Sequence, residues 1–243
     1  MGGDGEPVWE PVARARAHEL VIAAIEAQIT GGLLRVGDPL PPERELAARL
    51  EVSRAGVREA VRVLEGQGVL RSRVGSGAEA GTFVAALPDA ALTRFLRLHV
   101  ALANFPVAEV VAVRVGLERT AAASAAAAQD DAAFDAMAGL LDRMEAPGVT
   151  REEFNDADAD FHIAIAAASG NRLAASMTTA IRAALREPLL KAVVAADDWD
   201  AVAGRLRHQH RAILAALRAG DAQRAAALTE QHIRSAAATL PLG

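Results

Sequence analysis

The most regular spacing of apolar and polar positions in the chain lies between residues 53 and 64. Apolar side chains recur there at i, i+4 and i+7, which is one stripe of an amphipathic helix; they are Val57, Val61 and Leu64. Arginines occupy a different face, at Arg54, Arg58 and Arg62. Ser53 is suited to cap the first turn, and Gly66 is suited to the left-handed conformation after the last turn. The pattern predicts a short helix with one packed face and one cationic face.

A second short helix and a hairpin flank this segment. Prolines at 41 and 42 precede a predicted helix over residues 43–50, and only two residues separate it from Ser53. Two short helices joined by a tight turn predict a helix-turn-helix, whose second helix enters the major groove of DNA by its N-terminal end. Apolar patches at 69–70 and 82–84 flank the Gly-rich run GSGAEAG, which predicts a two-stranded wing.

This region is cationic although the whole chain is acidic. Residues 44–73 contain seven Arg and four Glu, whereas the chain carries a formal net charge of −5. Arginine can bind phosphate oxygens or the O6/N7 edge of guanine through two donors, so the local charge fits DNA binding. The alternative is a solvated helix face on which Glu59 and Glu65 offset Arg58 and Arg62. Charge alone does not decide between the two interpretations.

The remaining pattern is helical. A first helix is predicted from Pro11 to Thr30, and after a linker at 85–89 strand patterns stop. Ala-rich helical patterns follow, broken near residues 104–106, 129–130, 147–148, 169–171, 197–198 and 220–221. We therefore predict a mainly α protein: a winged helix-turn-helix with a small β-wing in residues 1–86, then an antiparallel α-helical bundle of six or seven helices in residues 90–243.

Composition narrows the class of protein. The chain has 243 residues, 52% of them hydrophobic, which is enough for packed cores in one large or two modest domains. It has no Cys, which excludes disulfides, a Cys nucleophile and Cys-based zinc sites and fits a reducing compartment. No apolar run reaches the ~20 residues of a membrane span, and the N-terminal residues lack the pattern of a signal peptide. We expect a soluble, cytoplasmic protein.

Metal-binding side chains occur in the predicted bundle. Asp158 and His162 are spaced i,i+4, so both can face one ion from a single helix, and two more histidines, His210 and His232, fall on the last two helices. Spacing alone does not select this set, because three neighbours compete with it: Asp156, Asp160 and His208. Imidazoles with one carboxylate would suit Zn, Ni, Mn or Fe(II) and would leave coordination positions open on an octahedral ion.

The N-terminal run LRVGDPLPPERELAARLEVSRAGVREAVRVLEGQGVL, followed by GTFV, resembles the winged helix-turn-helix of GntR-type bacterial transcription factors over nearly all of residues 10–84. The resemblance implies that five residues contact operator DNA: Arg44, Ser53, Arg54, Arg58 and the wing glycine Gly77. Two departures bear on the operator and the wing contact. Ala55 and Gly56 stand where hydroxyl-bearing or Pro residues are common, and the wing is longer than usual.

The C-terminal runs VRVGLERTAA, DADFHIAIAAASGN and HQHRAILAALRAGDAQRAAALTEQHI resemble the FCD ligand-binding domain of the FadR branch of that family, over roughly residues 90–238. The resemblance implies a divalent-metal site formed by Asp158, His162, His210 and His232. Arg114 and Glu118 match a further pattern of the family, and Arg114 would pair with a carboxylate effector. The alternative is an intrahelical ion pair. Asn171 is a turn and cap residue with a polar contact to the effector as a second role.

Together these patterns predict a non-enzymatic, homodimeric DNA-binding regulator, expected to be a repressor, that responds to a small organic acid at the metal site. Two alternatives remain open. One is a metal-dependent enzyme in a helical bundle with an appended DNA-binding domain, since an open position on the ion could activate water. The other is a sensor of the metal alone.

Overall fold

A computed structural model describes residues 17–75, 80–86 and 89–240. Within these ranges the chain forms ten helices and two strands. The elements of the N-terminal part are α1 Ala17–Thr30, α2 Glu43–Arg49, α3 Arg54–Gly66, β1 Leu70–Arg73 and β2 Gly81–Val84. Those of the C-terminal part are α4 Asp89–Ala101, α5 Val107–Ala128, α6 Asp131–Glu145, α7 Arg151–Ala168, α8 Arg172–Val194, α9 Trp199–Arg218 and α10 Ala222–Thr239. The mainly α fold predicted from the sequence is confirmed.

Contacts divide the chain into two compact units between residues 88 and 89, which lies inside the predicted linker. The N-terminal unit packs α1, α2, α3 and the wing around one apolar core, whose most enclosed members are Val21, Val57, Ala60, Leu64 and Leu70. The side chains predicted as the apolar stripe of α3 are therefore in this core. The predicted start of α1, at Pro11, lies outside the described residues.

The cap predicted for the end of α3 is wrong. Gly66 is the last helical residue and Gln67 follows it in a right-handed conformation. The left-handed residue is Gly68, with φ 75°, and the Val69 N–H then donates to the Leu64 carbonyl at 2.9 Å. Gly66 and Gly68 could each adopt the left-handed conformation, but Gly66 remains helical and the left-handed turn after the helix is at Gly68.

The wing is a two-stranded antiparallel sheet in which Leu70 pairs with Val84 and Arg73 with Gly81. Leu70 and Val84 are buried at the base of the hairpin, so this end is fixed to the core. Gly81 has φ 142°, a value that favours glycine. The backbone N–H of Ser72 donates to Glu65 at 2.7 Å, which joins the wing to α3.

The C-terminal unit consists of seven helices among the described residues, and its breaks fall where the sequence predicts them. Short polar side chains begin five of these helices by accepting the backbone N–H three residues on; they are Asp130, Thr150, Asn171, Asp198 and Asp221. Thr150 also forms a reciprocal capping box with Glu153. Because these caps fix where each helix begins, they also fix which side chains face the centre of the bundle.

Alanines and a few large side chains fill the bundle core, among them Phe134, Met137, Phe154, Phe161 and Leu185. At the start of α9, Trp199 packs edge-on against Phe154, with ring centroids 5.1 Å apart at 87°. The guanidinium of Arg151 lies 5.6 Å from the Trp199 ring. No helix in the described ranges is long and apolar enough to cross a membrane.

Candidate DNA-binding surface and candidate metal centre

The first turn of α3 is organised by Ser53, whose hydroxyl accepts the Gly56 N–H at 3.1 Å. The opposite face of the helix is buried in the core, so the arginines predicted to face outward do so: Arg54, Arg58 and Arg62 are exposed. Arg44 is exposed on α2. The structure therefore places these cationic side chains and the capped N-terminus of α3 on the surface of the N-terminal unit. Gly77 lies outside the described residues.

Arg58 has a different partner from the one that helical spacing offers. Its Nη2 and Nε donate to Glu43 Oε2 on α2, at 3.0 and 3.3 Å, rather than to Glu59 or Glu65. Half of the Arg58 side chain is exposed, so this ion pair is easily exchanged for another anion. Arg58 is held in place by α2 and can still turn to a phosphate or a base.

Gly56 is buried because α1 crosses close to it. A Cβ at this position would lie 3.1 Å from the Cβ of Ala17 and 3.5 Å from the Ser53 hydroxyl. The departure from the family pattern at Gly56 thus has a packing reason: a small residue lets α1 contact the first turn of α3.

In the helical unit, Asp158 and His162 from α7, His210 from α9 and His232 from α10 converge. One ligand atom from each lies within 4.8 Å of all the others. The three histidines are buried, and the Asp158 side chain is 14% exposed. The structure thus brings together the four residues that the resemblance selects.

The three residues that compete for the metal site by sequence spacing do not point toward the cluster. Asp156 accepts from Arg186 at 2.8 Å, Asp160 is exposed and lies 3.9 Å from Arg143, and His208 is exposed. Their sequence positions differ from those of Asp158 and His210 by two residues, which on a helix is about 200° of rotation. They therefore face away from the cluster.

An acceptor oxygen lies beside the Nδ1 atom of two imidazoles and so favours one tautomer of each ring. His162 Nδ1 lies 2.6 Å from Glu118 Oε2, and His232 Nδ1 lies 3.0 Å from Gln209 Oε1. Since both partners are acceptors, this network assigns the ring proton to Nδ1 in each case. The two Nε2 atoms then present lone pairs to each other at 3.2 Å with no proton between them. A cation satisfies that arrangement, so the residues fit a metal ion.

The charge states agree with this assignment. Burial lowers the pKa of His162 to about 4 and holds that of His232 well below its ordinary value, so both rings are neutral near pH 7. Burial raises the pKa of Glu118, but Arg114 and His162 outweigh it and the net direction is down. Glu118 is therefore a carboxylate with one oxygen 2.6 Å from His162 Nδ1, while its other oxygen accepts from Arg114 Nε at 2.6 Å.

A second buried arginine, which was not predicted from the sequence, lies beside the cluster. Arg182 of α8 is 2% exposed, and its Nη2 donates to Asp158 Oδ2. The other oxygen, Asp158 Oδ1, faces His210 Nε2 at 3.1 Å. Burial raises the pKa of Asp158, but Arg182 and His210 bring it well below its ordinary value. One signal was available: Arg182 lies on the buried stripe of α8 that contains Thr178, Leu185 and Leu189.

A small cavity of about 20 Å³ adjoins these side chains. Its polar lining is Arg114, Asn155, Asp158, Arg182 and His232, and its apolar lining includes Phe154, Leu189, Val193 and Leu206. Arg114 is 5% exposed and lines this cavity, and its contact with an effector stays a prediction. Asn171 is not part of this lining: it is exposed and caps α8 through the Ala174 N–H at 3.1 Å. The cap role predicted for Asn171 is confirmed, and the structure does not bring it to the cavity.

Two family models match the chain. One, for bacterial regulatory proteins of the gntR family, matches residues 17–79, and the other, for the FCD domain, matches residues 109–235, which is more than half of the chain. The chain belongs to the gntR family of transcriptional regulators and carries an FCD domain.

Particular relatives make the comparison more specific. The chain is 30% identical over 237 residues to the HTH-type transcriptional repressor NanR of Cronobacter sakazakii, covering 94% of this chain and 87% of that protein. It is 31% identical over 160 residues to the Glc operon transcriptional activator of Escherichia coli, covering 64% of this chain and 61% of that protein. A solved structure of Streptococcus agalactiae GntR has the same fold, with a TM-score of 0.58, 24% identity and coverage of 90% and 98%.

Proposed function

We propose that this regulator is a homodimeric repressor of the FadR branch, controlled by a small organic acid that binds beside a divalent metal ion in the helical unit. NanR of Cronobacter sakazakii, which matches 94% of the chain, is a repressor by name, and this supports repression. The Glc operon protein of Escherichia coli, which matches 64% of the chain, is an activator by name. The match to the FCD domain supports the branch.

The convergence of two imidazole lone pairs at 3.2 Å is the observation that carries the proposal. The ion would be held by Asp158, His162, His210 and His232, and Zn, Ni, Mn and Fe(II) all accept such a donor set. When bound, it would supply positive charge and open coordination positions for carboxylate oxygens. Arg114 and Glu118 have distinct tasks: Glu118 orients His162, and Arg114 holds Glu118 while lining the cavity.

Operator DNA would be bound by the exposed groups around the first turn of α3. We assign base or phosphate contacts to Arg44, Arg54 and Arg58, a backbone-positioning contact to Ser53, and a minor-groove contact of the wing to Gly77. Two such units, one from each protomer, would read two half-sites related by a two-fold axis. This is why the proposal includes a homodimer.

The small size of the cavity suggests how effector binding could change the affinity for operator DNA. About 20 Å³ is room for one water, so an organic acid must displace the surrounding side chains or helices. Those walls come from α5, α7, α8, α9 and α10. Acid binding would therefore favour one arrangement of these helices, and operator affinity changes if the two arrangements differ in DNA binding.

The experiment uses the full chain in three steps. Metal content of the purified protein is measured by elemental analysis. Thermal unfolding is then screened with small mono- and dicarboxylates, with and without chelator. DNA fragments enriched from genomic DNA by the protein are finally titrated by fluorescence anisotropy with each acid that raises the unfolding temperature. We expect one metal ion per chain and an acid that weakens DNA binding only when the metal is present.

Three outcomes would contradict parts of the proposal. Absence of metal together with absence of any acid effect would remove the metal and effector assignments and leave a DNA-binding regulator. An effect of the metal alone on DNA affinity would make the protein a metal sensor. Turnover of a bound acid by the metal-loaded protein would instead favour the enzymatic alternative.

A further inference from the structure

The buried charges around the cavity of the helical unit balance one another within the protein. Among the described residues, the charged side chains in this cluster are Arg114, Glu118, Asp158 and Arg182. Glu118 is paired with Arg114 and Asp158 with Arg182, so two positive charges face two negative ones. The three imidazoles are neutral when they act as metal ligands. A divalent ion in this cluster therefore adds two positive charges that no side chain of the cluster offsets.

An uncompensated charge in a buried site is strongly unfavourable. A monoanionic ligand would offset only one of the two added charges, whereas a dianionic ligand would offset both. The protein itself thus sets the charge that the ligand should carry. We infer that the acid bound beside the metal is a short dicarboxylate, and that Arg182 determines this preference. This inference rests on the function proposed above.

Arg182 also offers the hydrogen bonds that a second carboxylate needs. Its Nη2 donates to Asp158, but its Nε and Nη1 are buried and have no hydrogen-bond partner among the residues that the structure describes. Buried guanidinium donors without acceptors are costly, and carboxylate oxygens are their strongest acceptors. The adjoining walls include the apolar residues Phe154, Leu189 and Val193, which supply no acceptor, and the amide of Asn155, which donates to the Arg186 carbonyl and accepts no hydrogen bond from Arg182. One carboxylate would offset the ion and the other would accept from Arg182.

The same balance makes the ion and the acid depend on each other. Without the ion, a diacid would bring two negative charges into a cluster whose charges already cancel. Without the diacid, the ion would leave two positive charges unbalanced. Each ligand therefore raises the affinity for the other, and the coupling acts equally in both directions.

The test measures acid binding to the full chain by isothermal titration calorimetry. Protein stripped with chelator is compared with protein loaded with one equivalent of Zn²⁺. The ligands are two pairs matched in carbon number: malonate against propionate, and succinate against butyrate. For zinc-loaded protein we expect at least one diacid to bind about tenfold or more tightly than its matched monoacid, a ratio within the usual range of coupling between sites. We expect no diacid binding to the stripped protein.

Substitutions at Arg182 then test its part in the preference. Arg182→Gln removes one positive charge, so the preference for the diacid should fall to within about threefold of the monoacid. Arg182→Lys keeps the charge and should keep most of the preference. The matched control is Arg186→Gln, one turn later on α8, where Arg186 is exposed and paired with Asp156 and Glu152. This control should leave the wild-type ratio unchanged.

The outcomes separate this inference from the function on which it rests. Zinc-loaded wild-type protein that binds propionate and butyrate as tightly as the diacids would overturn the dianion preference while leaving the metal and acid site intact. Failure of metal-loaded protein to bind any of the four acids would overturn the short-diacid inference. Failure to retain Zn²⁺, Ni²⁺ or Mn²⁺, each tried in turn, would overturn the metal site on which it rests. An unchanged ratio in folded Arg182→Gln, checked by circular dichroism, would remove Arg182 from the role. If that variant does not fold, the wild-type ratios and Arg182→Lys still decide.

Discussion

The two candidate sites of this regulator are built in opposite ways. The candidate DNA-binding surface consists of exposed arginines on two short helices that are close in sequence, and the ion pair that joins these helices, between Arg58 and Glu43, is about half exposed. The metal cluster uses buried groups from three helices, with its nearest supports on two more. In the first, water screens each charge; in the second, every charge needs a partner inside the protein.

This difference predicts how each site tolerates change. Removing an exposed arginine of the candidate DNA-binding surface should affect DNA affinity and leave the fold intact. Removing a member of the buried cluster leaves its former partner unsatisfied in the interior, so ligand binding and stability should change together.

His162→Ala should reduce zinc affinity by more than about 100-fold, because it removes a ligand and not only a group that supports one. Zinc content after gel filtration measures this loss, and His208→Ala, an exposed histidine near His210, is the control that should keep its zinc. The N-terminal unit should keep its protection from hydrogen exchange. A His162→Ala protein that still binds one zinc ion would show that the ligand set is wrong.

Acid should destabilise the helical unit more than the N-terminal unit. The pKa of His162 is lowered to about 4 by burial, and that of His232 is also lowered, so below about pH 6.5 the unfolded chain binds protons that the folded chain does not. Unfolding is therefore favoured as the pH falls, and the loss at pH 5 should be on the order of 2–4 kcal/mol.

The depressed pKa values of Glu118 and Asp158 act in the same direction at lower pH, since their stabilisation is lost as the pH falls through the folded-state values. The measurement is hydrogen exchange of chelator-treated protein at pH 7.5 and pH 5, after correction for the intrinsic rates. Peptides of the helical unit should lose protection first. Equal losses in both units would contradict the assignment of the sensitivity to the buried cluster.

Arg54→Ala should weaken operator binding by about 1–3 kcal/mol if this side chain contacts a base. The unfolding temperature of the Arg54→Ala protein should equal that of the wild type, because Arg54 is exposed and outside the core. The control is Arg234→Ala in α10, which removes the same charge from an exposed pair with Glu230 in the other unit. Fluorescence anisotropy with labelled DNA gives both affinities, and equal affinities for the two variants would exclude Arg54 from the DNA interface.

Ser53→Ala should cost the N-terminal unit about 1 kcal/mol of stability, because the Gly56 N–H loses its capping acceptor. Ser53→Thr retains a hydroxyl and should retain most of that stability. Urea denaturation reports the difference. A larger loss in DNA affinity than in stability would indicate that the hydroxyl also contacts the operator.

The sequence predicts best what depends on neighbours along the chain. The Ser53 cap, the bundle breaks and the register of Asp158 with His162 each follow from residues a few positions apart. His210 and His232 were selected by resemblance, because spacing within one helix does not relate them to Asp158. The structure adds the physical reason for excluding Asp156, Asp160 and His208, which is the direction in which each side chain points.

Contacts between distant segments were not predicted. Arg182 meets Asp158 across 24 positions, and Arg58 meets Glu43 across 15. An arginine among apolar residues can extend along a helix to water, so its place on the stripe of α8 does not by itself indicate burial. The cap at Gly66 failed for a different reason, since Gly68 satisfies the same conformational requirement two residues later.

Because Trp199 contacts Phe154, tryptophan fluorescence can report ligand binding in the cavity. Phe154 lines the cavity on one side and packs edge-on against the Trp199 indole on the other. A ligand that displaces Phe154 changes the surroundings of that indole and hence its emission. The sequence has one other tryptophan, Trp9, so Trp9→Phe would leave a single emitter beside the cavity wall. Binding of unlabelled acids could then be followed in solution by intrinsic tryptophan fluorescence.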